Sequence, residues 1–320
     1  MSDEITLAPR IEDVEAQLRE RLLAGDAVLA DARPVLRHLL TCRDAAMFSD
    51  EVLARVRGAV LHLARQLLYA RATAGAASDP SEMPDSWEAD LAARLMDDTR
   101  LLAHLHGLTL EAMLTELLHQ RSNFDTVLSP LLQELAASPE DGVPALAMRM
   151  VAAQARFMQA HRRMELPLGE LPGDLFHCAV LAMRSQAGDD PSGALAEAAL
   201  RRQFDEAQSR LGLMTRLVMG LGRKAPRALA VDHAGLALFT TALAMATAQD
   251  RGLIVQTFGE GQMARFALSL RAAGLGQDKV QQHFLYFHPD ATPPEGLDWI
   301  TPDHASTLLA SSSLAKTDSA

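Results

Sequence analysis

Residues 50–73 read DEVLARVRGAVLHLARQLLYARAT. Val52, Leu53, Val56, Val60, Leu63, Leu67 and Leu68 recur at three- and four-residue steps. That is the repeat of a helix with one face turned to a core. Ser49 or Asp50, just before the apolar series, supplies an N-terminal cap.

Outward from this helix, the whole chain carries the same signal. Ala and Leu make about a third of the 320 residues, against 18 Val and Ile. Ala and Leu lose little on entering a helix, whereas a half-buried sheet favours β-branched residues. A sizeable sheet is therefore excluded, and the expected fold class is all-α. With 48% hydrophobic and 22% charged residues, the chain can bury a real core.

On the N-terminal side, Ile11, Val14, Leu18 and Leu22 mark a helix predicted to stop near Gly25, and Pro34 opens a second ending near Thr41. On the other side, TAGAASDPSEMPD (73–85) holds two prolines without periodicity and reads as a linker. One helix is then predicted from Trp87 to Gly107, and another from a Thr109 cap to about Arg121. A short helix at 130–136 precedes a long one opened by Pro144 and reaching Met164. Asp174 starts the next, and Pro191 begins one that continues toward Gly220 with Leu195, Leu200 and Phe204 inward. Shorter helices follow at 228–248, 250–258, 261–273 and 277–287.

About a dozen helices result, expected to pack as stacked helical hairpins in a repeat-like array or as two helical bundles. Gln249-Asp250-Arg251 and Gln277-Asp278-Lys279, 28 positions apart, fit such a repeat. The expected organisation is an N-terminal helical segment (1–73), a linker (74–85), a central bundle (86–222), C-terminal hairpins (223–304) and a disordered tail (305–320).

The net charge is −11, which disfavours phosphate backbones as partners, so no nucleic acid is expected. Cys42 and Cys178 lack a partner motif for a disulfide framework or zinc ribbon. The opening Met-Ser-Asp-Glu has no signal-peptide pattern. The longest uncharged stretch, Ala234–Gln249, is 16 residues and short of a membrane span. A cytoplasmic protein is expected, with no membrane association; a homo-oligomer is compatible with the sequence.

GEGQMARFALSLRAAGLGQDKVQQHFLYF, 259–287, combines a Gly-x-Gly opening, an Ala/Leu helix, an Ala-Ala-Gly-Leu stop and an aromatic-bearing second helix. This segment, about a tenth of the chain, resembles a C-terminal helix pair of an uncharacterised bacterial family, domain of unknown function 2336. The resemblance implies an all-helical, repeat-like fold and assigns no catalytic residue or cofactor.

Two helical pairs have the spacing of metal ligands. Glu116-x-x-His119 and Asp174-x-x-His177 each put a carboxylate and an imidazole on one helix face, half of a di-metal site in a bundle. Asp97 or Asp98 and Glu165 are the carboxylates that could complete it. Asp97-Asp98 is also similar to the opening of the magnesium motif of isoprenoid synthases, but Leu101 stands where a third aspartate is needed. His38 and Cys42 lie one turn apart without a second pair. No serine elbow, phosphate loop or dinucleotide fingerprint is present, and no cofactor is expected.

Partner-binding candidates are a basic turn, Arg223, Lys224 and Arg227, and an aromatic end, His283, Tyr286, Phe287 and His288. The preferred expectation is a non-enzymatic helical scaffold or regulatory adaptor that binds another protein. The alternatives are a helical metalloprotein or metal-dependent enzyme, and a small-molecule sensor with an apolar interhelical pocket.

Overall fold

The computed structural model describes residues 11–41, 50–74 and 84–312. Fourteen α-helices and no strand occur among them. The all-α expectation holds.

The described residues fall into two compact units. The larger takes 33–41, 50–74, 84–228 and 232–238. It contains α2 (Asp50–Ala74), α3 (Asp85–Met96), α4 (Thr99–Ser122), α5 (Pro130–Ala136), α6 (Val143–Arg162), α7 (Gly173–Ala187), α8 (Pro191–Gln203) and α9 (Arg210–Gly220). Its core is the apolar face of α2: Val56, Val60, Leu63 and Leu67 are fully buried, against Leu91, Leu102 and Met183 of other helices. Helices α2 and α3, on either side of 74–85, both lie in this unit. Arg65 of α2 and Glu88 of α3 pair at 2.9 Å.

Several helix ends differ from the sequence reading. The predicted helix over 87–107 is two, because Asp98 leaves the helical conformation and caps α4, accepting from Arg100 N at 2.9 Å and Leu101 N at 3.2 Å. Asp97 and Asp98 therefore sit at a helix break. Helix α4 then runs through Gly107, and the Thr109 hydroxyl donates back to Leu105 O at 2.9 Å instead of capping. The helix from Pro191 stops at Gln203, where Phe204 turns extended and stacks on Phe176 with centroids 4.0 Å apart. Ser209 caps the separate α9, and Leu195 is 55% exposed rather than inward.

The second unit takes 11–32, 229–231 and 239–312. It holds the first part of α1 (Ile11–Thr41), most of α10 (Val231–Thr247), and α11 (Arg251–Gln256), α12 (Met263–Ala272), α13 (Gln277–Phe287) and α14 (Pro302–Ala310). Helix α1 passes through Gly25 and Pro34 without stopping. Interior glycine costs only about 1 kcal/mol, and here it makes room: a Cβ on Gly25 would lie 2.8 Å from Gln262 Oε1, while Gln262 Nε2 donates to Gly25 O at 2.6 Å. The buried Arg265 guanidinium joins α1 to the far end of the unit, donating to Asp26 and, at 2.8 Å, to Ser312.

Residues 305–310 are helical, not a disordered tail: Thr301 caps α14, and Leu308 and Leu309 are buried. Residues 313–320 lie outside the described residues. The two acidic-basic trios also differ locally, since Asp250 caps α11 through Leu253 N whereas Gly276 stands at the start of α13. No single helix among the described residues is long and apolar enough to cross a membrane.

Candidate functional site

The face of α2 next to its core face carries His62, Arg65, Gln66, Tyr69, Ala70 and Thr73, again at helical steps. These residues form one wall of an open groove of about 790 Å³ in the larger unit. Ala74 at the end of α2, Leu168 and Gly169, Phe176 of α7, and Ala199, Leu200, Gln203 and Phe204 also line it. The stacked Phe176 and Phe204 rings, with Leu168 and Leu200, give the groove an apolar lining, and His62, Arg65, Gln66, Tyr69, Thr73 and Gln203 a polar one.

Two sets of contacts hold its walls. The 166–168 turn is gripped by α2: Gln66 Nε2 donates to Leu166 O at 2.8 Å, and Leu168 N donates to Gln66 Oε1 at 3.0 Å. Leu166 N donates to His62 Nδ1 at 3.1 Å. At the start of α8, Arg71 donates from Nη2 to Asp190 Oδ2 at 2.8 Å and from Nε to Ser192 Oγ at 3.1 Å, with its guanidinium 4.6 Å above the Trp87 ring. The Arg71 hydrogen bond, followed by those from Ser192, holds the Asp190 carboxyl down at about 2.

The same unit has a buried polar centre. Arg210 and Glu111, 1% and 0% exposed, form an ion pair. Arg210 Nε donates to Gln154 Oε1 at 2.6 Å, its backbone N donates to Glu170 Oε2 at 2.7 Å, and its guanidinium lies 3.8 Å over Phe157. Burial pushes the Glu170 carboxyl up despite that bond. His161 stacks on Phe157 at 5.1 Å. Its Nε2 is buried without a hydrogen-bond partner among the described residues. Burial, then the Arg55 charge, pushes its imidazole down to about 4, so it is neutral near pH 7.

The structure does not gather the four metal candidates. Glu116 accepts from Arg162 Nε at 3.1 Å, with Arg55 at 3.7 Å. His119 Nδ1 donates to Phe124 O at 2.8 Å. Asp174 lies 3.4 Å from Arg100, and His177 Nδ1 accepts from Arg201 at 2.6 Å. No group of three or more His, Cys, Asp or Glu able to hold a metal occurs among the described residues. Each pair does share a helix face, but arginines or a main-chain carbonyl occupy it. Cys42, and with it the His38–Cys42 pair, lies outside the described residues.

The partner-binding candidates divide. Arg223 is exposed, while Lys224 pairs with Glu140 at 3.1 Å and Arg227 pairs with Glu134. The aromatic end is core: His283 and His288 are buried, and Tyr286 and Phe287 are half-buried. The His283 ring stacks on Phe239 at 5.0 Å, donates from Nδ1 to Lys279 O at 2.6 Å, and accepts at Nε2 from Val231 N at 3.4 Å. Phe287 stacks on Phe258 at 4.3 Å.

Sequence reasoning missed the groove and the buried pair. The polar series His62, Gln66, Tyr69 and Thr73 beside the apolar series of α2 is the one local signal that marks a second working face. Glu111 and Arg210 have no such signal. Compared with protein-family models, curated proteins and solved structures, the chain matches none.

Proposed function

We propose that this protein is a non-enzymatic small-molecule sensor whose ligand site is the groove between α2, α7 and α8. The groove itself carries this reading. Its volume of about 790 Å³ lies within the range of roughly 300–1,000 Å³ for small-ligand sites. Stacked phenyl rings floor it, as suits an apolar or aromatic body. The polar side chains His62 and Gln66 are engaged with the backbone of 166–168, so they fix the wall rather than offer acid–base chemistry.

The test is thermal unfolding against a panel of apolar and aromatic small molecules. A ligand at a hundred times its Kd stabilises by about 2.7 kcal/mol, a shift of several degrees. Ala199→Trp fills the groove from one wall and abolishes the shift. A panel without effect on the wild type, or a shift that survives Ala199→Trp, overturns the reading.

A protein-binding adaptor is the second reading, favoured by Tyr69, which is 60% exposed at the groove edge. Tyrosine is among the residue types that anchor protein interfaces. Capture of one partner by the wild type, lost in Tyr69→Ala and unaffected by small molecules, supports that role instead.

A further inference from the structure

We infer that the ligand of this groove is an apolar body bearing one carboxylate, anchored by Arg65. The inference rests on the groove being a ligand site, and its argument is charge. Among the described residues that line the groove, Arg65 is the one formal charge and none is a carboxylate. This is notable in a chain of net charge −11, with 41 acidic residues against 30 basic. A surface so acidic repels anions in general, and a wall free of carboxylates is where an anion meets least repulsion.

Arg65 is suited to the role. Its side chain is 63% exposed, and its contacts with Glu88 use Nε and Nη2, at 2.9–3.0 Å. Exposed pairs of this kind are weak, and one carboxylate readily replaces another on the guanidinium. The apolar part of the ligand supplies what Glu88 cannot, by covering the Phe176–Phe204 floor. Glu88 then acts as the resident competitor for the anchor, a stand-in displaced when ligand enters.

The experiment compares three probes with one body: naphthalene-2-carboxylate, 2-naphthol and 2-naphthylmethylamine. Each is titrated by its own fluorescence into the full-length protein at low ionic strength. The carboxylate is expected to bind about threefold tighter than the naphthol, with the amine weakest. Arg65→Gln removes the preference, so that carboxylate and naphthol bind with equal affinity. Glu88→Gln, which frees the anchor, tightens the carboxylate several-fold and leaves the naphthol unchanged. That gain is not expected if Arg65 and Glu88 merely join α2 to α3. Equal binding of carboxylate and naphthol, tighter binding of the amine, or carboxylate affinity unmoved by both substitutions overturns the inference while leaving the groove a ligand site. Absence of binding by all three overturns the groove reading along with it.

Discussion

Arg210 and Glu111, 99 positions apart, face each other as an ion pair shielded from solvent, with Arg210 also stacked on Phe157. Breaking a buried pair from one side strands a charge, which costs about 3–5 kcal/mol. Glu111→Gln is therefore expected to destabilise the fold by that amount in urea unfolding. Glu111→Leu with Arg210→Met removes both charges, and the pair should cost less than the sum of the single changes. An additive double-mutant cycle would contradict the coupling.

His161 makes stability depend on mild acid. Its ring titrates at about 4 in the folded chain against an ordinary 6.5. Between those values the unfolded chain takes up a proton that the folded chain refuses. Stability therefore falls as pH drops from 6.5 to 4, by up to about 3 kcal/mol. His161→Phe keeps an aromatic ring beside Phe157 and should flatten this part of the pH profile. A slope unchanged by the substitution would count against the assignment.

Asp190 acts in a lower window. Its carboxyl is held down, at about 2 instead of 3.8, chiefly by the Arg71 hydrogen bond and then by Ser192. The stabilisation is complete above pH 3.8 and is lost as pH falls toward 2. Asp190→Asn retains a capping side chain on α8 but removes the charge, so acid unfolding below pH 4 should become less steep. Circular dichroism across the two windows separates this effect from that of His161.

Gly235 stands inside α10 at φ 71° and ψ 161°, where the helix is broken, and a Cβ there would lie 3.1 Å from Ser129 Cβ. That conformation belongs almost wholly to glycine, so Gly235→Ala should cost about 1–3 kcal/mol in thermal unfolding. Gly220→Ala is the contrast. Gly220 ends α9 with nothing within 4 Å of an added Cβ, and the change should be neutral or stabilising by up to about 1 kcal/mol.

Helices with a local start and stop were legible. The helices read at 130–136 and 277–287 are α5 and α13, residue for residue. Gly25 and Pro34 misled because a stop signal sets only a local cost. Packing of α1, including the Gln262 side chain over Gly25, outweighs it. The same limit hid the site. Glu116 and His119 lie on α4, and Asp174 and His177 on α7, but local spacing does not say which side chain from elsewhere reaches each pair.

Composition makes the chain helical, and a repeat spanning few residues turns Val56, Val60, Leu63 and Leu67 of α2 to a core. Tertiary structure alone decided that the neighbouring face of α2 walls a groove. It also decided that Arg71 meets Asp190 across 119 positions and Arg265 meets Asp26 across 239. Those contacts depend on how helices pack. A single arginine reads the same in a chain whether it will be solvated or buried against a carboxylate.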